Sequence, residues 1–371
     1  MPLPLPKEEL PEKIRRFGDP KAPTPARTMA AKGLVPVKGT DLVTLLVQLS
    51  ADADENVRAA AHGTLEGLPD EVLRPAVVAD LHPEILTGLV RYVRNDQSLL
   101  EDLAANRSLP AVGVEKIARS CDVNTAERIA TDQVRLLEHP EIIEALYKNK
   151  NTRMSTVDRL VELAARNGVE LTGVATFAAH VEAIKGQLIV EEAPEEDLPS
   201  DLACQEALEK DSDEDAIERD KVDGTEEVKA THKALAFRIG EMSIAEKIRL
   251  ALIGDAAARA ILVRDSNKIV SMSAITSPAM KDAEAARIAA SKQVSDDILR
   301  YVGNRRDWLG NYELKRNLLF NPKCPMGISM KFLGHLRFND LRTLARSKNV
   351  PASLRTAAKQ RVAKKMQGSR R

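Results

Sequence analysis

Large aromatic residues are scarce in this chain: Phe, Trp and Tyr together make up 3% of 371 residues. A β-sandwich or barrel, which relies on aromatic and β-branched side chains to cover a pleated face, is therefore disfavoured. Cysteine is as sparse. Cys121, Cys204 and Cys324 lie far apart and are odd in number, with no CxxC pair and no Cys/His cluster. That pattern argues against a disulfide framework and against a metal site, and it fits reduced thiols in a cytoplasmic protein. No stretch reaches the roughly 18–20 apolar residues of a bilayer span, so integral membrane association is not expected. The opening Met-Pro-Leu-Pro-Leu-Pro-Lys-Glu-Glu-Leu has no basic segment leading into an apolar one, so no secretory signal is read there. GxGxxG after a strand, the P-loop pattern, HExxH and GxSxG are all missing. The histidines His62, His82, His139, His180, His232 and His335 are scattered, and two of them precede prolines as turn or cap residues would. The expectation is a protein that is not an enzyme and holds no cofactor.

What is present is aliphatic and charged. Hydrophobic residues reach 43%, supplied mainly by Ala, Leu, Val and Ile, a composition suited to closely packed helices. Charged residues make up 30%, with 55 basic and 55 acidic side chains and zero net charge. The balance conceals a strong separation along the chain. From Glu191 to Glu227 there are 17 acidic residues against three basic, whereas from Arg300 to Arg371 there are 18 basic against three acidic.

Composition divides the chain into four segments. Residues 1–38 carry Pro2, Pro4, Pro6, Pro11, Pro20, Pro23 and Pro25 and read as a disordered arm, either a polyproline ligand for a partner or a solvated tail. Residues 39–188 form a helical block. Val57, Ala61 and Leu65 share one helix face, with Asp54 as N-cap. A second helix is expected from Ser155, as cap, to Asn167-Gly168, burying Val157, Leu160, Val161 and Ala164. His82-Pro83-Glu84-Ile85-Leu86 recurs 57 residues later as His139-Pro140-Glu141-Ile142-Ile143, each Pro placed where a helix can begin. Residues 189–230 read as an acidic disordered linker, with a short helix around Leu202–Leu208 as an option.

Residues 231–371 give the clearer repeat. Ala290-Ser291-Lys292-Gln293-Val294-Ser295 aligns with Arg346-Ser347-Lys348-Asn349-Val350-Pro351, and Phe320-Asn321-Pro322-Lys323-Cys324-Pro325 lies between them. Each reads as a helix end, a polar corner and a restart. The restarts Ser295, Pro325 and Pro351 are 30 and 26 residues apart, the length of a helix-turn-helix unit that covers its apolar face only by stacking.

Two resemblances follow from these residues. Val57-Arg58 to Leu65 resembles the second helix of a HEAT repeat. Asn321-Pro322-Lys323-Cys324-Pro325 resembles the Asn-Pro-x-x-Pro corner of leucine-rich-repeat-variant proteins. Both families are α-solenoids and mainly binding scaffolds, so the resemblance implies an all-α fold, an α-solenoid in two blocks joined by the acidic linker. Some variant-repeat proteins carry a cysteine-ligated iron–sulfur cluster, but the cysteine cluster is missing here and that cofactor is not carried over. The chain as a whole resembles repeat proteins of soil-type bacteria, which implies no function.

The basic C-terminal segment carries the candidate site: Arg305, Arg306, Trp308, Arg316, Lys323, Arg337, Arg342, Arg346, Lys348 and Arg355. Tyr301, Tyr312, Phe320, Phe332 and Phe338 are interleaved with them. Such charges replace counterions on a polyanion, and exposed rings can stack on bases. The alternative reading places Phe320, Phe332 and Phe338 in the core, uses Trp308 as a plug between repeats, and lets the acidic linker neutralise the basic block. The leading expectation is a protein-binding scaffold, with nucleic-acid binding through residues 300–371 as the alternative. Arg305-Arg306-Asp307-Trp308 also resembles the Trp, Asp and Arg set of HEAT-like DNA glycosylases. That remote reading requires Asp307 and Trp308 to line one groove.

Overall fold

The computed structural model describes residues 3–187, 198–208, 216–219 and 226–368. These fall into two compact units, one running to Gly173 and the other starting at Val174. The first holds α1 (Glu12–Gly18), α2 (Thr24–Ala31), α3 (Gly39–Leu49), α4 (Glu55–Glu66), α5 (Asp70–Val78), α6 (Pro83–Val93), α7 (Gln97–Ala105), α8 (Ala111–Ala118), α9 (Val123–Ala130), α10 (Gln133–Glu138), α11 (Pro140–Lys148) and α12 (Met154–Arg166). The second holds α13 (Phe177–Ile184), α14 (Pro199–Leu208), the antiparallel ribbon β1 (Ile217–Arg219) and β2 (Glu226–Val228), α15 (Lys233–Glu241), α16 (Ile244–Ile253), α17 (Ala256–Leu262), α18 (Lys268–Thr276), α19 (Asp282–Ala290), α20 (Asp296–Asn304), α21 (Tyr312–Phe320), α22 (Met326–Phe332), α23 (Phe338–Arg346) and α24 (Ala352–Gly368). The division falls before α13, which packs on α16, so the N-terminal block ends short of the expected residue 188. None of the described helices is long and apolar enough to cross a membrane.

Almost all of these helices are too short to be stable alone in water, and each depends on its neighbours for burial. In the second unit the order of packing is regular. Helices α15, α17, α19, α21 and α23 form one row, each against the next, and α16, α18, α20, α22 and α24 form the other. In the first unit α1, α3, α5, α7 and α9 form a comparable row. The chain is thus a helical array with sequential packing. Val57, Ala61 and Leu65 of α4 are buried as expected, and Asp54 accepts the Asn56 N–H at its N-terminus. Pro83 and Pro140 both open helices.

Three expectations are corrected. Helix α12 begins at Met154 after Arg153, so Ser155 lies inside the first turn instead of capping it. Its other end is as read: Gly168, at φ +69°, closes it, with Val169 N–H on Ala164 O and Gly168 N–H on Ala165 O. Segment 1–38 is no extended arm. Three of its prolines stand at helix starts, Pro11 before α1, Pro23 before α2 and Pro25 in the first turn of α2, where the missing N–H costs nothing. Leu5, Leu10 and Ile14 are buried, and the fully buried Gln48 side chain clamps the Leu5 backbone from both sides, accepting its N–H and donating to its C=O. The buried Arg27–Asp52 pair ties α2 to the loop after α3. Within the segment expected as a disordered linker, α14 covers the short helix read as an option around Leu202–Leu208, and the β1–β2 ribbon is an ordered element that was not expected, with Cys204 and Ala207 buried. Its residues 189–197, 209–215 and 220–225 lie outside the described ones.

The recurring element is the corner. Helices α7, α11, α18, α19, α21 and α23 end in Asn106, Asn149, Ser277, Ser291, Asn321 and Ser347, all extended, with φ between −50° and −81° and ψ between 119° and 133°. The last carbonyls of a helix lack intrahelical partners. Asn321 Nδ2 supplies two of them, on the preceding helix of its row: it donates to Ala289 O at 2.8 Å and Ser291 O at 2.7 Å, while its Oδ1 accepts the Lys323 N–H. Asn106 does the same for Val77 O and Ala79 O, and Asn149 for Ala118 O and Cys121 O. Asn149 and Asn321 are each only 3% exposed, so losing either amide strands buried carbonyls. We predict that Asn321→Ala lowers the unfolding free energy by about 1–3 kcal/mol. Urea unfolding followed through Trp308, the sole tryptophan, reads it out. Asn317→Ala, which removes a bond to one carbonyl from a half-buried site, should cost less.

Candidate partner interface

Helix α23 builds the site from an amphipathic pattern. Leu341, Leu344 and Ala345 are buried, which turns Asn339, Arg342, Thr343 and Arg346 outward at helical spacing. Across from them α21 presents Arg316 and Phe320. Together with Ser347 these residues line an open groove of about 750 Å³. Arg316 lies over the Phe320 ring, 5.2 Å from its centre, and donates through Nε to Asp340 at 3.0 Å. Arg342 lies 6.0 Å from the Phe338 ring centre. Among the described residues neither Arg342 nor Arg346 pairs with a carboxylate. Asp340 does not line the groove, and among the described residues it is the one acid that any of these three arginines pairs with. Its carboxylate accepts the Tyr312 hydroxyl at 2.5 Å, and Tyr312 in turn accepts the Arg337 N–H.

The remaining residues expected at the site are distributed. Arg305 is used internally: its guanidinium lies 4.8 Å from the centre of Trp308 and donates to the Tyr301 hydroxyl. Trp308 is 5% exposed and part of the core, edge-on to Tyr301, as the plug reading has it. The Asp307 side chain is 79% exposed. The two do not share a groove, and the glycosylase resemblance gains no geometric support. Arg306 and Lys348 are exposed, Arg355 is half-buried, and none of the three reaches the groove lining. Lys323 donates to Val294 O at 3.4 Å and so supports the corner. Arg337 covers Tyr312 at 4.4 Å.

The rings are not free platforms. Phe332 is buried, Phe320 and Phe338 are half-buried, and each aromatic side chain from Tyr301 to Phe338 has a cation over it. Cation–π contact occupies one face of each ring that base stacking could use. Missed in the sequence were Asn339, Thr343 and Ser347, which add neutral donors; their four-residue spacing alongside Arg342 and Arg346 is the signal that would have found them.

A second open groove, about 850 Å³, lies in the first unit and is lined by Arg107, Arg128, Asp132 and Glu138 among others. Its Arg135 is committed to the carbonyls of Ala104, Asn106 and Leu109. The lining carries both charge signs and lacks the one-sided character of the α21–α23 groove. Among the described residues no cluster of His, Cys, Asp or Glu could hold a metal ion. Cys121 is buried beside Asn149, and desolvation pushes its thiol up to about 12, so it is protonated at neutral pH.

The Tyr312 hydroxyl holds Asp340 below its ordinary carboxylate value, assisted by Arg316. A depressed carboxyl stabilises the fold above its unfolded pKa and loses that contribution as pH falls through the folded one. Wild type should therefore exceed Asp340→Asn in stability by about 1 kcal/mol at neutral pH. The gap should close as the pH is taken below 3.8, measured by denaturant unfolding across pH. No protein-family model matches this sequence, and no curated protein matches it.

Proposed function

We propose that this protein is a non-enzymatic binding scaffold, an α-solenoid of short helical repeats that holds a protein partner against the basic surface of its C-terminal unit. The observation that carries the reading is the convergence of Arg316, Arg342 and Arg346 on one open groove with a single, already engaged, carboxylate beside it. One-sided charge on an open surface steers and orients a partner of opposite sign. The excess of 18 basic over three acidic residues from Arg300 onward keeps nucleic-acid binding as the second reading. The covered aromatic faces favour protein over single-stranded nucleic acid.

The test immobilises the full chain and a variant carrying Arg316→Glu, Arg342→Glu and Arg346→Glu, each exposed to a cell lysate with and without nuclease. The expected result is a protein retained by wild type, resistant to nuclease, released between about 50 and 200 mM salt and absent from the variant. Equal retention by both chains would contradict the reading, and loss of retention on nuclease treatment would replace it with the nucleic-acid one.

A further inference from the structure

The acidic segment already shows how a carboxylate sits on a corner of this array. Glu226, in β2, places its side chain against the corner that follows α19. Its Oε2 accepts from the Ser291 hydroxyl and from Arg264 Nε at 3.2 Å, and its main-chain oxygen accepts from Gln293 Nε2 at 2.9 Å. Arg219 of β1 reaches Ala290 O at the same corner. An extended chain is thus held by one carboxylate and one peptide oxygen, a mode that demands an acid but little else of the sequence.

The corner after α23 is its repeat equivalent. Ser347 stands for Ser291, Lys348 for Lys292 and Asn349 for Gln293. The two serines are both extended helix ends, and each accepts the N–H two residues on, at 3.2 Å from Gln293 and 3.3 Å from Asn349. Where the first corner has Ala290, the second has Arg346, and Arg342 and Arg316 open onto the same groove. Among the described residues no acid of the β1–β2 ribbon or of α14 reaches this second corner: Glu206 pairs with Arg238, and Glu226 with Arg264. The second corner therefore repeats the serine and amide of the first and adds the guanidinium groups of Arg342 and Arg346, with Arg316, already held by Asp340, at the groove's other side.

We infer that the α21–α23 groove binds an extended acidic segment of a partner protein, seated as Glu226 is seated on the corner that follows α19. The inference rests on the scaffold reading and names the partner's chemistry. A glutamate side chain accepts from the Ser347 hydroxyl and the Arg346 fork, Arg342 meets a flanking acid, and Asn349 meets the peptide backbone.

The probe is a fluorescein-labelled peptide that repeats the local pattern Glu226-Glu227-Val228, compared with its counterpart in which every Glu is Gln. Anisotropy is measured on the full chain. Wild type is expected to bind the Glu peptide and not the Gln peptide. Arg342→Gln with Arg346→Gln should weaken binding roughly tenfold or more. Ser347→Ala, a smaller change that guards against a folding defect in the double variant, should weaken it several-fold, and Arg264→Ala, at the occupied corner, should leave the second site intact. Equal binding of the two peptides, or no effect of either groove variant, overturns the inference. So does displacement of the Glu peptide by an oligonucleotide that binds more tightly and depends on the same arginines. If the peptide fails while a protein is still retained by wild type and lost by the charge-reversed chain, the inference falls and the scaffold reading stands; if both fail, the scaffold reading falls as well.

Discussion

Every helix in an array of this kind ends in carbonyls that no residue of the same helix can satisfy, and the fold depends on how they are met. Here the side-chain amide of a corner asparagine reaches back to the end of the preceding helix in its row. Asn106, Asn149 and Asn321 each place one Nδ2 on two such carbonyls and use Oδ1 to fix their own turn. The bond does three things at once. It completes a helix end, it sets the register between neighbouring units, and it holds the next helix start a fixed distance away. Positive-φ glycine caps, the common alternative, occur at only a few described sites, among them Gly33 and Gly168.

On the proposed reading, function is placed on top of that constraint. Because the corners recur, the surface next to them recurs, and small changes in side chain give each corner its own chemistry. At α19 the corner closes on an acid from the chain's own ribbon, through Ser291, Arg264 and Gln293. At α23 the same backbone offers Ser347 with Arg342, Arg346 and Arg316 facing an open groove. The charge separation that gives zero net charge is therefore only partly resolved inside the described structure: the acidic segment meets basic residues at Arg238 and Arg264, upstream of the strongly basic stretch.

How much of this was legible in the sequence depends on whether the signal was local. The helical class, the face of α4 and the restarts at Ser295, Pro325 and Pro351 were readable because they rest on spacing and cap chemistry within a few residues. The proline content of residues 1–38 points away from helix, whereas Pro11, Pro23 and Pro25 occupy the positions that tolerate it. Nothing local in Leu5 announces that Gln48, far along the chain, satisfies its backbone. At the candidate site the charges were legible and their sorting was not. Arg305, Arg337 and Lys323 serve rings and carbonyls away from the groove, while Arg316, Arg342 and Arg346 line it, Arg316 also holding Asp340, and the packing of α21 against α23 brings them together.

On the proposed reading, partner recognition is confined to the α21–α23 groove and its corner. Hydrogen exchange of the full chain, with and without a bound partner, tests it most directly, because amides at an engaged surface gain protection where those elsewhere do not. The expected result is added protection over residues 316–349, centred on Ser347 to Asn349, with the groove of the first unit unchanged. Protection that appears instead along Arg107 to His139, or spreads evenly over both units, would contradict it.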